Sequence, residues 1–295
     1  MSALRGGFAL GAILALAACS PGAKLPVKLP FKLPAVGGPA FDKDKLESAI
    51  DANFGGVGAC VVIDDTRSGA ELYRYNSHAA CMRRLPPCST FDIANGLIGL
   101  DAGVVSPTSV LKWNGAPQPI KSWEQDADLK TAFKESIPWW QQAVAHKVGL
   151  AAYQAQLKAY GYGNHAPDGP IDSFWQGPAA GGGLFISTDE QAGFLHRLYA
   201  RQLPVKPASA AYVEQIMVDE IRDGAVVSGK SATCASASDG GRQVGWWIGR
   251  LKTAKADYVF AASMESANDT SLPGIEIQQR AKTAFAVAGL WPPAP

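Results

Sequence analysis

The sequence predicts an α+β fold, in which one central antiparallel sheet is flanked by helices and carries a helical subdomain. Three observations lead there. Two strand-like runs lie close together near residue 60, a long stretch of helical periodicity follows, and three further strand-like runs precede a closing helix. Strands grouped toward the two ends with helices between them fit an α+β plan better than alternating βα units.

Taken in order, residues 1–18 read as a leader. Arg5 supplies a positive start, Phe8 to Leu16 is a short apolar run, and Ala17-Ala18-Cys19 is a small-residue cleavage junction. The run is too short for a permanent membrane span. Leu16-Ala-Ala-Cys19 also has the form of a lipobox, in which Cys19 is acylated and becomes the new N-terminus. Residues 19–40 read as a tether, because Lys24-Leu-Pro, Lys28-Leu-Pro and Lys32-Leu-Pro recur every four residues. Proline at that density prevents helix and favours an extended rod. The globular domain is expected over residues 41–295.

Within it, Lys43 to Asn53 reads as a helix, and Gly58 to Asp64 and Glu71 to Tyr75 as strands joined by the turn-like Thr66-Arg-Ser-Gly69. Thr90 to Ala102, Pro138 to Val148, Ala151 to Tyr160, Thr188 to Tyr199 and Ala211 to Ile221 show helical spacing, the fourth opened by a Ser-Thr-Asp cap. Ala225 to Lys230, Gln243 to Leu251 and Tyr258 to Met264 read as strands, and about Gly274 to Val287 as the last helix. Gly181-Gly-Gly183 lacks the Gly-Lys-Ser/Thr of a phosphate loop and reads as a turn.

Composition narrows the function. A formal net charge of +1 over 295 residues gives no reason to expect a nucleic-acid partner. His78, His146, His165 and His196 show no paired ligand spacing, so neither a metal nor another cofactor is implied. Export places the chain in an oxidising compartment, where Cys60, Cys81, Cys88 and Cys234 are expected to form two disulfides in one of three connectivities.

The chemistry-bearing stretch is Pro87-Cys-Ser-Thr-Phe-Asp92, which opens an apolar helix. A serine at a helix N-terminus has free backbone N–H groups and a positive dipole end beside it, and both favour an oxyanion. The residue three positions on lies one turn deeper on the same face. Farther along come Lys112-Trp-Asn-Gly, Trp123-Glu-Gln-Asp, Ser136-Ile-Pro-Trp, Tyr162-Gly-Asn164, Phe174-Trp175, Ser228-Gly-Lys-Ser-Ala232 and Gly245-Trp-Trp-Ile-Gly249. In order and spacing this set resembles the class D β-lactamases, the oxacillinase-type branch of the penicillin-recognising serine hydrolases. The resemblance implies the β-lactamase/transpeptidase-like fold and a ligand that is a β-lactam or a peptidoglycan-like peptide. It implies Ser89 as nucleophile, Ser136 (or, with a one-residue shift, Glu135) as second-motif proton shuttle, and Lys230 with Ser231 and Ala232 as the Lys-Thr/Ser-Gly strand. Tyr162 and Asn164 match the third motif and Trp175 the tryptophan beside the catalytic base, and with Ser231 and Ala232 these are the residues expected to bind substrate. The family fold also brings Cys88 and Cys234 close, leaving Cys60 with Cys81; Cys81–Cys88 is the competing pairing.

The sequence departs from the family at three places. Asp92 stands where the family has a lysine, one carbamylated by carbon dioxide so that it ends in a carboxylate and serves as base. The aspartate stem is on the order of 5 Å shorter, at roughly 1.2–1.3 Å per bond. Ile275 stands where Leu-Pro-x-Arg supplies an arginine for the ligand carboxylate, with Lys230, Arg242 and Arg280 as candidate substitutes. Ala232 replaces the motif glycine. Two functions are therefore expected. One is a serine hydrolase or penicillin-binding protein that opens β-lactams by acylation of Ser89, impaired by Asp92, with Asp92 and Lys230 paired across the cleft. The other is a catalytically inactive, lipid-anchored binding protein for cell-wall peptide or a protein partner. The chain is expected on a membrane facing the periplasm, the outer membrane first, and its oligomeric state is left open. Cys19→Ala is expected to move the protein from the detergent phase to the aqueous phase in a detergent-partitioning assay; a wild type already wholly aqueous would refute the anchor.

Overall fold

The computed structural model describes residues 41–54, 58–235, 243–266 and 274–292. They all fall in one compact unit. The leader, Cys19, the tether, Arg242 and Leu272-Pro273 lie outside the described residues.

The sheet has six antiparallel strands, β1 (Gly58–Asp65), β2 (Glu71–Tyr75), β3 (Val218–Arg222), β4 (Ala225–Ala235), β5 (Gln243–Lys252) and β6 (Asp257–Glu265), in the order β2-β1-β6-β5-β4-β3. Successive side chains on a strand point to opposite faces, and β5 shows the consequence. Trp246 enters one hydrophobic core and its neighbour Trp247 the other. The Trp247 face is covered by α1 (Lys43–Phe54) and, later in the chain, by the Gly274–Val287 helix, which add Phe54, Ile277 and Phe285 to that core, Phe285 edge-on to Phe260. The Trp246 face receives the helical subdomain. This comprises α2 (His78–Cys81), α3 (Phe91–Asp101), α4 (Leu129–Glu135), α5 (Pro138–Val148), α6 (Leu150–Tyr160), α7 (Thr188–Tyr199) and α8 (Pro207–Met217), and Gly274–Val287 is α9.

Helix α3 is the pillar of that subdomain, with every residue from Phe91 to Leu100 buried. A helix buried on all sides needs partners there for its polar residues, as Asn95 finds in Gln141, and it must pack on all sides. Gly99 permits this, since a Cβ there would stand 2.9 Å from Cγ1 of Val144 on α5. Ser187 caps α7 in a capping box with Glu190, as the Ser-Thr-Asp signal predicts.

One expected helix, Ala211 to Ile221, is corrected. The helix ends at Met217, and Val218–Arg222 is strand β3, so the sheet gains a strand. The reason is the Asp223-Gly224 pair. Both residues have positive φ (49° and 76°), the conformation of a two-residue hairpin turn that folds β3 back onto β4. Strand β4 also continues five residues beyond the expected Lys230, to Ala235.

The β3–β4 pairing spans only Ala225 to Ser228 of β4, whereas β4 pairs with β5 as far as Ala235. From Gly229 onward β4 therefore has an edge free of β3, and the Cys88–Thr90 turn packs against it. Gly249 faces Gly229 across β4 and β5, and a Cβ on Gly249 would meet the Ser228 carbonyl oxygen at 1.9 Å. Gly249→Ala is expected to lower stability by about 2–3 kcal/mol, read as a fall in the urea midpoint. A wild-type midpoint would show that this part of the sheet gives way.

Candidate active site

A single 3-10 turn, Cys88–Thr90, delivers Ser89 to the start of α3. Cys88 adopts φ 51°, a left-handed conformation rare for a residue with a side chain. Several bonds hold the turn. The Cys88 N–H donates to the Trp175 carbonyl (3.0 Å), Trp246 Nε1 donates to the Pro86 carbonyl (2.8 Å), Thr90 Oγ1 donates to the Pro87 carbonyl (2.6 Å), and Gln191 Nε2 donates to Thr90 Oγ1 (2.7 Å). Ser89 itself is half-buried.

One turn deeper, Asp92 is 1% exposed. Its Oδ2 lies 3.7 Å from Lys230 Nζ, a Coulombic contact longer than a hydrogen bond. Burial raises the Asp92 carboxyl to about 7, against the opposing pull of the Lys230 ammonium. Burial likewise pushes the Lys230 ammonium below its ordinary value, with Asp92 resisting. Lys230 projects from β4, 5% exposed, donates to Ser136 Oγ and to the Ser231 carbonyl (3.3 Å), and lies 5.5 Å from the Phe133 ring centroid.

Ser136 reaches Lys230 because it is the left-handed C-cap of α4 (φ 52°), just before Pro138 begins α5. Glu135, the alternative, is exposed, and its carbonyl accepts from Trp123 Nε1 (2.8 Å). Geometry therefore puts Ser136, and not Glu135, beside the lysine. The expected pairing of Asp92 with Lys230 is present, and Lys230 donates its hydrogen bonds to Ser136 and Ser231.

The remaining motif residues separate into lining and support. Ser231, half-buried, borders a cavity of about 170 Å³ with Lys230, Phe133, Lys134, Trp247 and Ile275. Ala232 is buried at 4% exposure. Trp175 is buried and stacks on Phe91, the residue before Asp92, at 5.3 Å and 25°. Tyr162 is fully buried, its ring edge-on to Phe91 and Phe194. Asn164 is committed to the chain opposite it, donating to the Gly183 carbonyl (2.7 Å) and accepting from the Phe185 N–H (3.0 Å). Tyr162 and Asn164 thus sit in the wall behind the cleft. Of the candidate arginine substitutes, Arg280 bonds Glu276 and the Asn53 carbonyl, away from Lys230. Lys134 and Phe133 were not singled out in the sequence; their place two and three residues before Ser136, in the last turn of α4, was the available signal.

Both disulfides form, Cys60–Cys81 and Cys88–Cys234, rather than the competing Cys81–Cys88. No cluster that could hold a metal occurs among the described residues.

A family profile described as the penicillin binding protein transpeptidase domain matches residues 41–284. β-Lactamase OXA-10 of Pseudomonas aeruginosa is 33% identical over 209 residues, 70% of this chain and 77% of that protein. The chain belongs to the class D β-lactamase family. Probable β-lactamase YbxI of Bacillus subtilis is 31% identical over 217 residues, 73% of this chain and 78% of that protein. The solved structure of BPu1 β-lactamase superposes with a TM-score of 0.73 at 28% identity, covering 83% of this chain and 98% of that one. The β-lactamase/transpeptidase fold expected from the motifs is thus the fold observed.

Within this class D scaffold the raised Asp92 carboxyl has a measurable consequence. The folded chain holds the Asp92 proton between the ordinary value of 3.8 and about 7, where the unfolded chain has released it. The folded state binds more protons there, so the Asp92 contribution to stability is lost as pH rises through that window, by up to about 1.4 kcal/mol per pH unit. Asp92→Asn is expected to remove this slope. Urea midpoints of wild type and variant from pH 4 to 7 check it, and parallel curves would contradict the raised carboxyl.

Proposed function

We propose that this chain is a penicillin-binding serine acyl-enzyme of the class D type, in which Ser89 attacks the β-lactam carbonyl slowly and the adduct persists. The observation that carries the reading is the Lys230–Ser136 hydrogen bond beside Asp92, at the edge of β4 where the Ser89 turn docks. Ser136 and Lys230 form a proton relay to the nitrogen that leaves when the ring opens. The Ser89 turn, at the entrance to α3, offers backbone N–H groups and the helix dipole to the oxyanion. Ser231 and Ala232 on β4 hold the ligand alongside, while Trp175, Tyr162 and Asn164 act by positioning the wall.

Asp92 limits the rate. A free, correctly placed carboxylate would take the Ser89 proton, but Asp92 faces Lys230 at 3.7 Å and burial keeps its carboxyl protonated up to about 7. Its stem is too short to put a carboxylate where a carbamylated lysine would put one. The same lack leaves the acyl-enzyme without a group to activate the deacylating water. Acylation is then slow, independent of carbon dioxide, and followed by still slower hydrolysis. Ile275 and the commitment of Arg280 to Glu276 support weak affinity for carboxylated ligands. The same pairing of Asp92 with Lys230 favours the second reading, a catalytically inactive, lipid-anchored protein that keeps the cleft for cell-wall peptide.

Intact-mass spectrometry after incubation with a reporter penicillin separates the two. A covalent adduct building over minutes to hours is expected in wild type, absent in Ser89→Ala, and little changed by bicarbonate or by Asp92→Asn. No adduct at any time would leave the binding-protein reading. Rapid turnover abolished by Asp92→Asn would make Asp92 a working base and overturn the proposal.

A further inference from the structure

Among the links that join the serine turn and the start of α3 to the edge of β4, two are an ion pair and a covalent bond. One is the Asp92–Lys230 ion pair at 3.7 Å. The other is the Cys88–Cys234 disulfide, with Cα atoms 5.7 Å apart. Cys88 lies four residues before Asp92, and Cys234 four residues after Lys230. A separation of four puts Cys234 and Lys230 on the same face of β4. Ser89 falls in the interval between the two links on its own segment, bonded in sequence to Cys88.

The two sides of the cleft come from different parts of the fold. Ser89, Asp92 and Ser136 belong to the helical side, and Lys230 and Ser231 to the sheet. The hydrogen bonds that fix residues 85–90 run largely within the helical side. Leu85 exchanges backbone bonds with Ile186, the Cys88 N–H donates to the Trp175 carbonyl, and Gln191 holds Thr90. Its ties to the sheet include the Trp246–Pro86 hydrogen bond and the disulfide. The disulfide is the covalent tie of the two, and it lands on the residue that precedes Ser89. That residue is fully buried in a left-handed conformation that only a firm constraint would impose on a cysteine.

We propose that the Cys88–Cys234 disulfide is a positioning element for Ser89: it sets the spacing of the serine turn from β4 and keeps the hydroxyl within reach of a carbonyl lying along that strand. The proposal rests on Ser89 being the reactive group. Its physical basis is that an attacking atom displaced by about 1 Å loses on the order of 100-fold in rate while binding is nearly kept. The other disulfide, Cys60–Cys81, ties β1 to α2, neither of which carries Ser89, Asp92, Ser136 or Lys230, so it serves as an internal control.

The test compares two paired substitutions, Cys88→Ala/Cys234→Ala and Cys60→Ala/Cys81→Ala, in the exported full chain. Each is read for melting temperature and for Ser89 modification by a reporter penicillin and by a fluorophosphonate. Both pairs are expected to lower the melting temperature. Only the first is expected to slow modification, by about 10–100-fold in the maximal rate with half-saturation within threefold. Cys88→Gly/Cys234→Ala, which removes the tie but suits the left-handed backbone, is expected to be equally slow. Recovery of the wild-type rate in that variant would assign the effect to backbone conformation and overturn the proposal, as would equal slowing by both alanine pairs. Should the first pair not fold, Cys60→Ala/Cys81→Ala is treated with a dithiol. The dithiol becomes a cyclic disulfide as Cys88 and Cys234 become two thiols, and the rate is expected to fall and then return on reoxidation; an unchanged rate after complete reduction overturns the proposal. Fluorophosphonate labelling lost with the bridge, without any penicillin adduct in wild type, would sink the penicillin-binding reading and keep the clamp. A wild type modified by neither reagent would sink both.

Discussion

A carboxylate and an ammonium, both nearly withdrawn from water, face each other at the meeting of helix and sheet, and the cleft is organised around them. Each alone would be costly to bury, and together they offset part of that cost. The pairing sets demands on three separate segments. The first turn of α3 must present Asp92 inward, β4 must present Lys230 toward it, and the junction of α4 and α5 must turn left-handed to bring Ser136 to the same ammonium. A buried pair of this kind adds little net stability, but removing one member strands the other, so the three segments are constrained as a set.

The surrounding architecture supplies the rigidity this requires. Helix α3 is packed on every side, so its first turn has little freedom to move relative to the helices around it. The sheet separates two cores, and the one behind Lys230 is closed by Trp246, Phe91, Phe174 and Trp175. The cleft exists because β3 is short. Had β3 matched β4 over its whole length, the edge at Gly229 to Ala235 would be occupied by a strand of the same chain.

Much of this was legible in the sequence, and the reasons differ from residue to residue. The run from Phe91 to Leu100 reads as a helix because its apolar residues recur at helical spacing, and the order of the motifs points to Ser89, Lys230 and either Ser136 or Glu135 as neighbours. Strand β3 is masked in the sequence because the helical spacing from Ala211 runs on through Met217, while the signal for the strand is the Asp223-Gly224 turn that follows it. Tyr162 and Asn164 match a functional motif in type, but only their packing and hydrogen bonds show them inside the wall. The choice between Ser136 and Glu135 turned on one left-handed residue, which spacing alone does not reveal. The place of Lys134 beside Lys230 depends on how α4 docks, which spacing does not encode.

The strand order also fixes how the chain would behave once cut. Strands β1 and β2 precede the helical subdomain and the other four follow it, so a single backbone break in the exposed stretch Asn114–Pro117 separates two sequence halves that share one sheet through β1 and β6. Cys60–Cys81 lies wholly in the first half, but Cys88–Cys234 spans the break. A protease-nicked molecule would thus remain one covalent object, migrating as a single band until a reductant is added and as two fragments afterwards, with the serine on one fragment and the lysine on the other.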